Sequence, residues 1–249
     1  MKLASGHRVL HFERIDSTNA EARRLAEAGE RGPLWIWADE QTGGRGRMGR
    51  GWVSEPGNLY ATFLFAMATN QQAATQLSFV AALAVHDMVV ALRPGWHPRI
   101  KWPNDVLVDG AKFCGILAEV VGTAPTAIAI GCGVNVDHAP QGTAYKVTYI
   151  NSTRGMGSTV ESVLQHLDLT LSNRLQLWDE GRGFPAIREA WLASAYGAGG
   201  QVAASGGVSG TFTSIAADGA LVVTLADGTT RQIHSGEVRF AELERLRQS

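Results

Sequence analysis

Residues 34–67 read LWIWADEQTGGRGRMGRGWVSEPGNLYATFLFAM, and this stretch decides the fold class. Its two ends, 34–38 and 58–67, are short runs rich in aromatic and apolar side chains, which predict buried strands. Between them, 43–51 is a loop of glycines and arginines. Since strands frame the loop and its pattern occurs once, we place it inside a folded domain rather than in a disordered Arg-Gly tail.

The segments on either side of this stretch alternate between helical and extended patterns. The capping-box pattern Thr18-x-x-Glu21 predicts a helix that stops at Gly29. Asp109-Gly110 predicts a hairpin turn. Further helices are predicted at 72–92, 158–179 and 186–195, and further strands at 99–102, 106–108, 113–121 and 126–136. The expected fold is therefore α+β or mixed α/β, a mixed sheet with helices packed on it.

The composition changes at 196–200, a glycine-rich stretch that predicts a linker. Four short β runs follow between 200 and 235, and Asp218-Gly219 and Asp227-Gly228 separate three of them as tight turns. About 45 residues of this kind predict a small, partly open, SH3-like β-barrel, which docks on the main domain because it buries little apolar area alone. We expect two domains, 1–197 and 200–249.

Composition excludes several classes of protein. Of 249 residues, 45% are hydrophobic and 18% charged, which is typical of a globular chain. The 22 Lys and Arg against 23 Asp and Glu leave a net charge of −1, so no global field recruits nucleic acid or a membrane surface. Cys114 and Cys132 lack metal-ligand spacing, and the chain shows no signal peptide or membrane span; we expect a reduced, cytoplasmic protein.

The loop between the two strands carries the strongest chemical signal. Residues 41–52 contain five glycines and three arginines. Glycines let backbone N–H groups approach an anion, and guanidinium groups supply permanently charged donors. Each charge-assisted hydrogen bond to a phosphate is worth roughly 1.5–3 kcal/mol, so two or three could hold a nucleotide. The pattern predicts a site for a phosphate or an adenylate.

A second signal is the sequence KWPND at 101–105, followed by Lys112. The predicted hairpin brings Lys112 close to Asp105. The Lys112 ammonium could bind a polyphosphate while the Asp105 carboxylate orients an incoming amine. An ordinary surface ion pair explains the same spacing equally well.

Two further segments each fit two interpretations, and the sequence motifs of several enzyme classes do not occur. Residues 16–19, DSTN, fit either a plain helix N-cap or a site for a polar ligand head. The sequence GCGVN at 131–135 lacks the third glycine of a dinucleotide fingerprint, and Cys132 is expected to be a small buried hydrophobe. P-loop, GxSxG and HExxH patterns do not occur, which argues against P-loop NTPases, α/β-hydrolases and zinc hydrolases.

Taken together and in order, the segments at 16–19, 44–52, 101–105, 112–117 and 131–135 closely resemble the biotin protein ligases, the biotin–[acetyl-CoA-carboxylase] ligases. The resemblance covers most of 8–136. It implies a catalytic domain like that of class II aminoacyl-tRNA synthetases. It also implies an ATP-dependent ligase that activates biotin as biotinyl-5′-AMP and transfers it to a lysine of a biotin carboxyl carrier protein, in acetyl-CoA carboxylase or a similar carboxylase.

The resemblance also implies roles for individual residues, with ATP and Mg²⁺ required and no metal ligands from the protein. A Gly43–Gly51 loop that orders over bound ligand is part of this expectation. The implied catalytic residues are Lys112, Arg47 and Asp105, with Asp105 positioning the acceptor lysine. The implied biotin-binding residues are Ser17, Thr18, Asn19, Gln41, Arg45, Gly115, Gly131 and Gly133. The implied ATP- or adenylate-binding residues are Arg47, Arg50, Trp52, Asn104, Lys112 and Asn135.

Alternatives remain at this point. A lipoate or octanoate ligase of the same superfamily is the nearest, and a non-enzymatic nucleic-acid binder that uses the Arg-Gly loop is a weaker one. Since Asp16 comes early, we expect no N-terminal DNA-binding domain and no DNA partner. The oligomeric state is open between a monomer and a homodimer, and no role is assigned to 137–158.

Overall fold

The larger of two sheets is built from the first 134 residues. A computed structural model describes residues 3–68, 71–123, 125–152 and 157–248. Its seven strands are β1 (Arg8–Ile15), β2 (Leu34–Gln41), β3 (Leu59–Met67), β4 (Arg99–Lys101), β5 (Asp105–Val108), β6 (Ala111–Thr123) and β7 (Thr126–Val134). They lie in the order β1-β2-β3-β7-β6-β5-β4, and only β1 and β2 pair in parallel.

Helices cover both faces of this sheet. They are α1 (Thr18–Glu27), α2 (Gln71–Ala74), α3 (Leu77–Leu92), α4 (Val160–Trp178) and α5 (Phe184–Ala193), whereas α6 (Ala241–Gln248), at the end of the chain, packs on the smaller sheet. Alternate residues of β2 serve the two faces: Leu34 and Ile36 pack with α1, whereas Trp35 and Trp37 join the core with α3, α4 and α5. Burial on both faces explains why the strand reads as a continuous apolar run. In the described part of the chain, no helix is long and apolar enough to cross a membrane.

The smaller sheet follows and is antiparallel throughout. Its strands are β8 (Gln201–Ala204), β9 (Val208–Ile215), β10 (Leu221–Thr224), β11 (Thr230–Ile233) and β12 (Val238–Phe240), in the order β11-β10-β9-β8-β12. Its core continues into that of the main part, because the Phe212 ring lies 6.5 Å from Trp191 of α5 and 6.3 Å from Phe240. Trp102 also donates to Gly219 O at 3.1 Å. The expected docking of this part on the main domain is confirmed.

The α+β class with a mixed sheet and a C-terminal β unit is confirmed, while several local predictions change. The sequence reading missed β1, an edge strand, because its exposed charged side chains resemble a loop; β12 and α6 were also missed. The predicted helix 72–92 is two helices, and near their junction Gln76 accepts a hydrogen bond from Trp178 Nε1 at 2.7 Å. This partner lies too far along the chain for a local pattern to reveal it.

The predicted capping box is wrong in detail. Ser17, not Thr18, is the N-cap of α1, and its Oγ accepts from Ala20 N at 3.4 Å. The Glu21 carboxylate pairs with Arg24 instead of returning to the cap. Thr18 N–H donates to Gln41 Oε1 at 2.8 Å. A long-range partner thus takes Thr18 away from the cap.

We expect Phe212→Ala to reduce the free energy of unfolding by about 3–5 kcal/mol, because it opens a cavity where the two sheets share a core. Urea denaturation would measure the loss. Leu169→Ala, at a side chain 45% exposed, is the control and should cost about 0.5 kcal/mol or less. Equal effects of the two substitutions would contradict a core shared through Phe212.

Candidate active site

One cavity of about 570 Å³ gathers the predicted residues. The turn before α1, the loop after β2, the β4–β6 strands and β7 all contribute to its lining. Every predicted site residue except Asn135 lines it: Ser17, Thr18, Asn19, Gln41, Arg45, Arg47, Arg50, Trp52, Asn104, Asp105, Lys112, Gly115, Gly131 and Gly133. The sheet order therefore brings together segments that are more than 100 residues apart in sequence.

Neighbouring glycines of β6 and β7 form part of the cavity lining. In the strand register Gly115 faces Gly133, and Leu117 faces Gly131. A Cβ atom on Gly131 would lie 2.1 Å from Asn19 Oδ1, and one on Gly133 would lie 2.6 Å from the Trp52 indole. Both positions therefore require glycine, because another residue already packs directly against the backbone.

Hydrogen-bonded polar side chains occupy the end of the cavity next to α1. Gln41 Oε1 accepts from Thr18 N at 2.8 Å and lies 3.1 Å from Thr18 Oγ1. Gln41 Nε2 donates to Ser54 Oγ at 2.9 Å, and Ser54 Oγ donates to Trp52 O at 3.0 Å. The side chains that would hold a polar ligand head are thus fixed by one another.

The Arg-Gly loop is a short reversal closed by its own backbone. Gly46 N donates to Arg50 O at 2.7 Å, and Trp52 N donates to Gly44 O at 2.9 Å. Arg47 is half-buried, and its Nη1 lies 3.5 Å from Asn104 Oδ1. Burial lowers the pKa of Arg47, which the nearby Asp105 charge opposes and the Arg50 charge assists. A guanidinium remains protonated in proteins, so the loop holds a cation against the cavity.

Lys112 lies among one carboxylate and two aromatic rings. Its Nζ is 2.8 Å from Asp105 Oδ1, which confirms the contact expected from the hairpin. The same atom lies 5.2 Å from the centre of the Trp52 ring and 5.6 Å from that of Tyr145. Backbone hydrogen bonds of 2.9 Å join Lys112 to Lys146 and Thr148. This partly buried ammonium is positioned for an anion in the cavity.

Asn135 was predicted to bind ATP or the adenylate, but it does not line the cavity. It is buried behind β6, where its N–H donates to Phe113 O at 2.8 Å and its Nδ2 donates to Thr148 O at 3.0 Å. These bonds hold the segment after β7, from which Tyr145 and Lys146 reach the cavity. Asn135 therefore supports the lining without forming part of it.

Cys132 lines the cavity but is not suited to act as a nucleophile. Burial raises the pKa of its thiol to about 12, so the reactive thiolate is scarce at neutral pH. The prediction of a small buried hydrophobe is confirmed.

Several lining residues were missed by the sequence reading. The C-terminal part contributes Glu237, Arg239, Phe240, Leu243 and Glu244, and the segment after β7 contributes Tyr145. No motif marks them, because they reach the cavity only through long-range packing. Thr62, buried behind the lining, had a signal: it is the single hydroxyl among the apolar residues that follow Tyr60 in β3.

The described residues contain no group of three or more His, Cys, Asp or Glu side chains placed to hold a metal ion. The acidic groups in the lining are Asp105, Glu237 and Glu244, and Asp105 already pairs with Lys112. This donor set does not form a dedicated cage for a divalent cation.

Known proteins resemble the chain in both of its parts. Residues 11–135 match the Biotin/lipoate A/B protein ligase family, and residues 202–240 match the Biotin protein ligase C terminal domain. A biotin–[acetyl-CoA-carboxylase] ligase of Paracoccus denitrificans is 42% identical over 84% of this chain and 91% of the relative. The bifunctional ligase/repressor BirA of Bacillus spizizenii is 30% identical over 94% of this chain and 74% of the relative.

Solved structures agree with the sequence matches. The biotin protein ligase from Aquifex aeolicus, in complex with biotin and ATP, superimposes with a TM-score of 0.80 and 25% identity, covering 94% of this chain and 99% of the other. The shared fold, the match over 11–135 and the relative that aligns over most of both chains lead to one conclusion: this protein belongs to the biotin protein ligase family.

Proposed function

We propose that this cavity carries out the family's reaction with the residues described above. The chain is an ATP-dependent biotin ligase: it activates biotin as biotinyl-5′-AMP and transfers the biotinyl group to a lysine of a protein. One observation carries the assignment of the site. A single cavity combines a hydrogen-bonded polar end, a glycine lining and a cationic group formed by Arg47 and Lys112.

The polar end suits the ureido ring of biotin. Ser17, Thr18, Asn19 and Gln41 offer hydroxyl and amide groups to the ring, with backbone groups near Arg45. Gly115, Gly131 and Gly133 let the apolar body of biotin lie against the backbone. The Trp52 ring already packs on Gly115 and Gly133, so we propose that it shifts as the ligand binds and then packs near the adenine.

The cationic group suits the adenylation step. The biotin carboxylate attacks the α-phosphorus of ATP, the acyl–phosphate bond forms, and pyrophosphate leaves. Arg47, Arg50 and Lys112 would neutralise the negative charge that the carboxylate and the phosphates bring together. Asn104 would help to hold the nucleotide. Mg²⁺ would screen the phosphates, and the donor set described above fits an ion that enters with ATP rather than one that resides in the protein.

Asp105 suits the transfer step. The amine of the acceptor lysine attacks the acyl carbon, an amide forms, and AMP leaves. The Asp105 carboxylate, held at the cavity by Lys112, would orient that amine and accept the proton that its nitrogen loses as the amide forms.

We extend the proposal to the acceptor protein, the cellular location and the domain organisation. The acceptor is a biotin carboxyl carrier protein of acetyl-CoA carboxylase or a similar carboxylase, and DNA is not a partner, which the net charge of −1 supports. Cytoplasmic location agrees with the use of ATP and with two unpaired buried cysteines. The two separate sheets support the division into domains 1–197 and 200–249. Within these ranges, residues 1–2, 69–70, 124, 153–156 and 249 lie outside the described residues. The oligomeric state stays open between a monomer and a homodimer.

The proposal predicts ATP–pyrophosphate exchange that depends on biotin. Separate reactions with biotin, lipoate or octanoate would measure it, with heat-denatured protein as the control. Biotin alone should support exchange, because only its ring matches the polar end at Thr18 and Gln41. Exchange with lipoate or octanoate only would keep the chemistry and reassign the pocket, and no exchange from folded protein would reject the function.

We expect Lys112→Gln to lower the kcat of biotin-dependent exchange about 100-fold or more, because a neutral side chain cannot compensate the charge that develops at the phosphates. Arg182→Gln removes a cation 70% exposed and outside the cavity, and it serves as the control. Initial-rate exchange assays would compare the two variants. A Lys112→Gln enzyme as active as Arg182→Gln would exclude the proposed role.

Asp105→Asn should separate the two steps. We expect exchange to change by less than about threefold, while transfer of biotin from a preformed adenylate to the carrier lysine slows about 100-fold, since the neutral asparagine side chain cannot accept the proton of the lysine amine. Single-turnover transfer would report the second step by itself. If both steps fell together, Asp105 would act through Lys112 during adenylation instead.

A further inference from the structure

Tyr145 contributes an aromatic ring to the cavity from a segment to which the sequence analysis assigned no role. Its side chain is 40% exposed, so the ring lies at the mouth of the cavity rather than in the core. Lys112 Nζ lies over this ring, 5.6 Å from its centre, which is within the range of a cation–π attraction. The proposed mechanism uses the ammonium and has so far given the ring no part.

Backbone hydrogen bonds place Tyr145 next to Lys112. Lys112 N donates to Lys146 O, and Thr148 N donates to Lys112 O, both at 2.9 Å, so the segment after β7 pairs with the start of β6. Thr143 Oγ1 donates to the carbonyl oxygen of Tyr145 at 2.6 Å and holds the turn that leads into this pairing. The contact between ring and ammonium is therefore fixed by two segments that are bonded directly to each other.

Trp52 makes the other aromatic contact with Lys112, but it is held in a different way. Its ring lies 5.2 Å from Lys112 Nζ and packs on Gly115 and Gly133, where the proposed function puts the body of the ligand. That function has the Trp52 ring shift as the ligand binds. Tyr145, which is tied to the strand of Lys112, is then the ring that stays with the ammonium during the reaction.

A ring and a carboxylate have different effects on the charge of Lys112. The Asp105 carboxylate, 2.8 Å from Nζ, attracts the ammonium and also neutralises it. The negative face of an aromatic ring attracts the ammonium and leaves its charge uncompensated. Since the Lys112 side chain is only 16% exposed, water does little to stabilise the cation once it leaves Asp105. The Tyr145 ring supplies that stabilisation and still lets the cation bind an anion.

We propose that Tyr145 is a positioning residue for Lys112, whose ring holds the ammonium at the cavity while Lys112 exchanges Asp105 for the phosphates. This inference rests on the proposed function, since it describes how the cation of that site changes partners. Adenylation needs Lys112 at the phosphates, and transfer needs the Asp105 carboxylate free for the acceptor amine. By stabilising Lys112 away from Asp105, the ring supports the change of partner that both steps require.

The test compares Tyr145→Leu with Tyr145→Phe in the full chain. Leucine keeps apolar bulk without an aromatic face, so the kcat of biotin-dependent pyrophosphate exchange should fall about tenfold, with both KM values within about twofold of the wild type. Phenylalanine keeps the ring and should retain kcat within about twofold. An unchanged kcat in Tyr145→Leu, or equal losses in the two variants, would overturn the inference. A rise in the KM for ATP alone would also overturn it, because the ring would then contact the nucleotide instead.

A double substitution tests whether Tyr145 acts through Lys112. In Lys112→Gln enzyme the ring has no ammonium to hold, so adding Tyr145→Leu should lower kcat by less than about twofold. A further tenfold fall in the double variant would show that the ring acts independently of Lys112, and it would overturn the inference. Wild-type protein without biotin-dependent exchange would instead reject the proposed function, so the two failures are distinct.

Discussion

The pairing of β6 with β7 is the constraint from which the site follows. Its register puts Gly115 beside Gly133 and Leu117 beside Gly131, so glycines from two strands lie together in the cavity lining. A shift of one residue would turn each of these positions to the other face of the sheet. Lys112 lies at the start of β6, and Asn135, which supports the lining, follows β7 directly. The paired strands therefore position the glycine lining, the Lys112 ammonium and Asn135 relative to one another.

Charge in this protein is local rather than global. A chain with a net charge of −1 still concentrates Arg45, Arg47, Arg50 and Lys112 around one cavity. Asp105 lies against Lys112, and aromatic rings flank the ammonium. Such an arrangement offers positive charge to an anion in the cavity, while the chain as a whole has almost no net charge. The Arg-Gly loop therefore lies within a folded site rather than in a tail.

The polar end of the cavity is held in place by groups that lie behind it as well as by groups that line it. Ser17 caps α1, which leaves Thr18 free to bond to Gln41 and to contact Thr62. Asn19 in turn donates to Glu119 Oε2 of β6 at 2.8 Å. Buried polar groups of this kind stabilise the fold only when each of them has a partner.

The local sequence pattern was sufficient to predict those elements whose contacts are made with residues near in sequence. The apolar runs of β2 and β3 predicted strands. The Asp109-Gly110 turn placed Lys112 beside Asp105, because only six residues separate the two. Of the site residues that the resemblance implied, all but Asn135 line the cavity. Packing between distant segments decided the rest: the removal of Thr18 from the cap, the burial of Asn135, the second layer formed by Thr62 and Glu119, and the wall contributed by Glu237 and Arg239. These contacts depend on strand order and register, which bring together residues tens to hundreds of positions apart, and the periodicity of a single segment carries no record of what lies across the sheet.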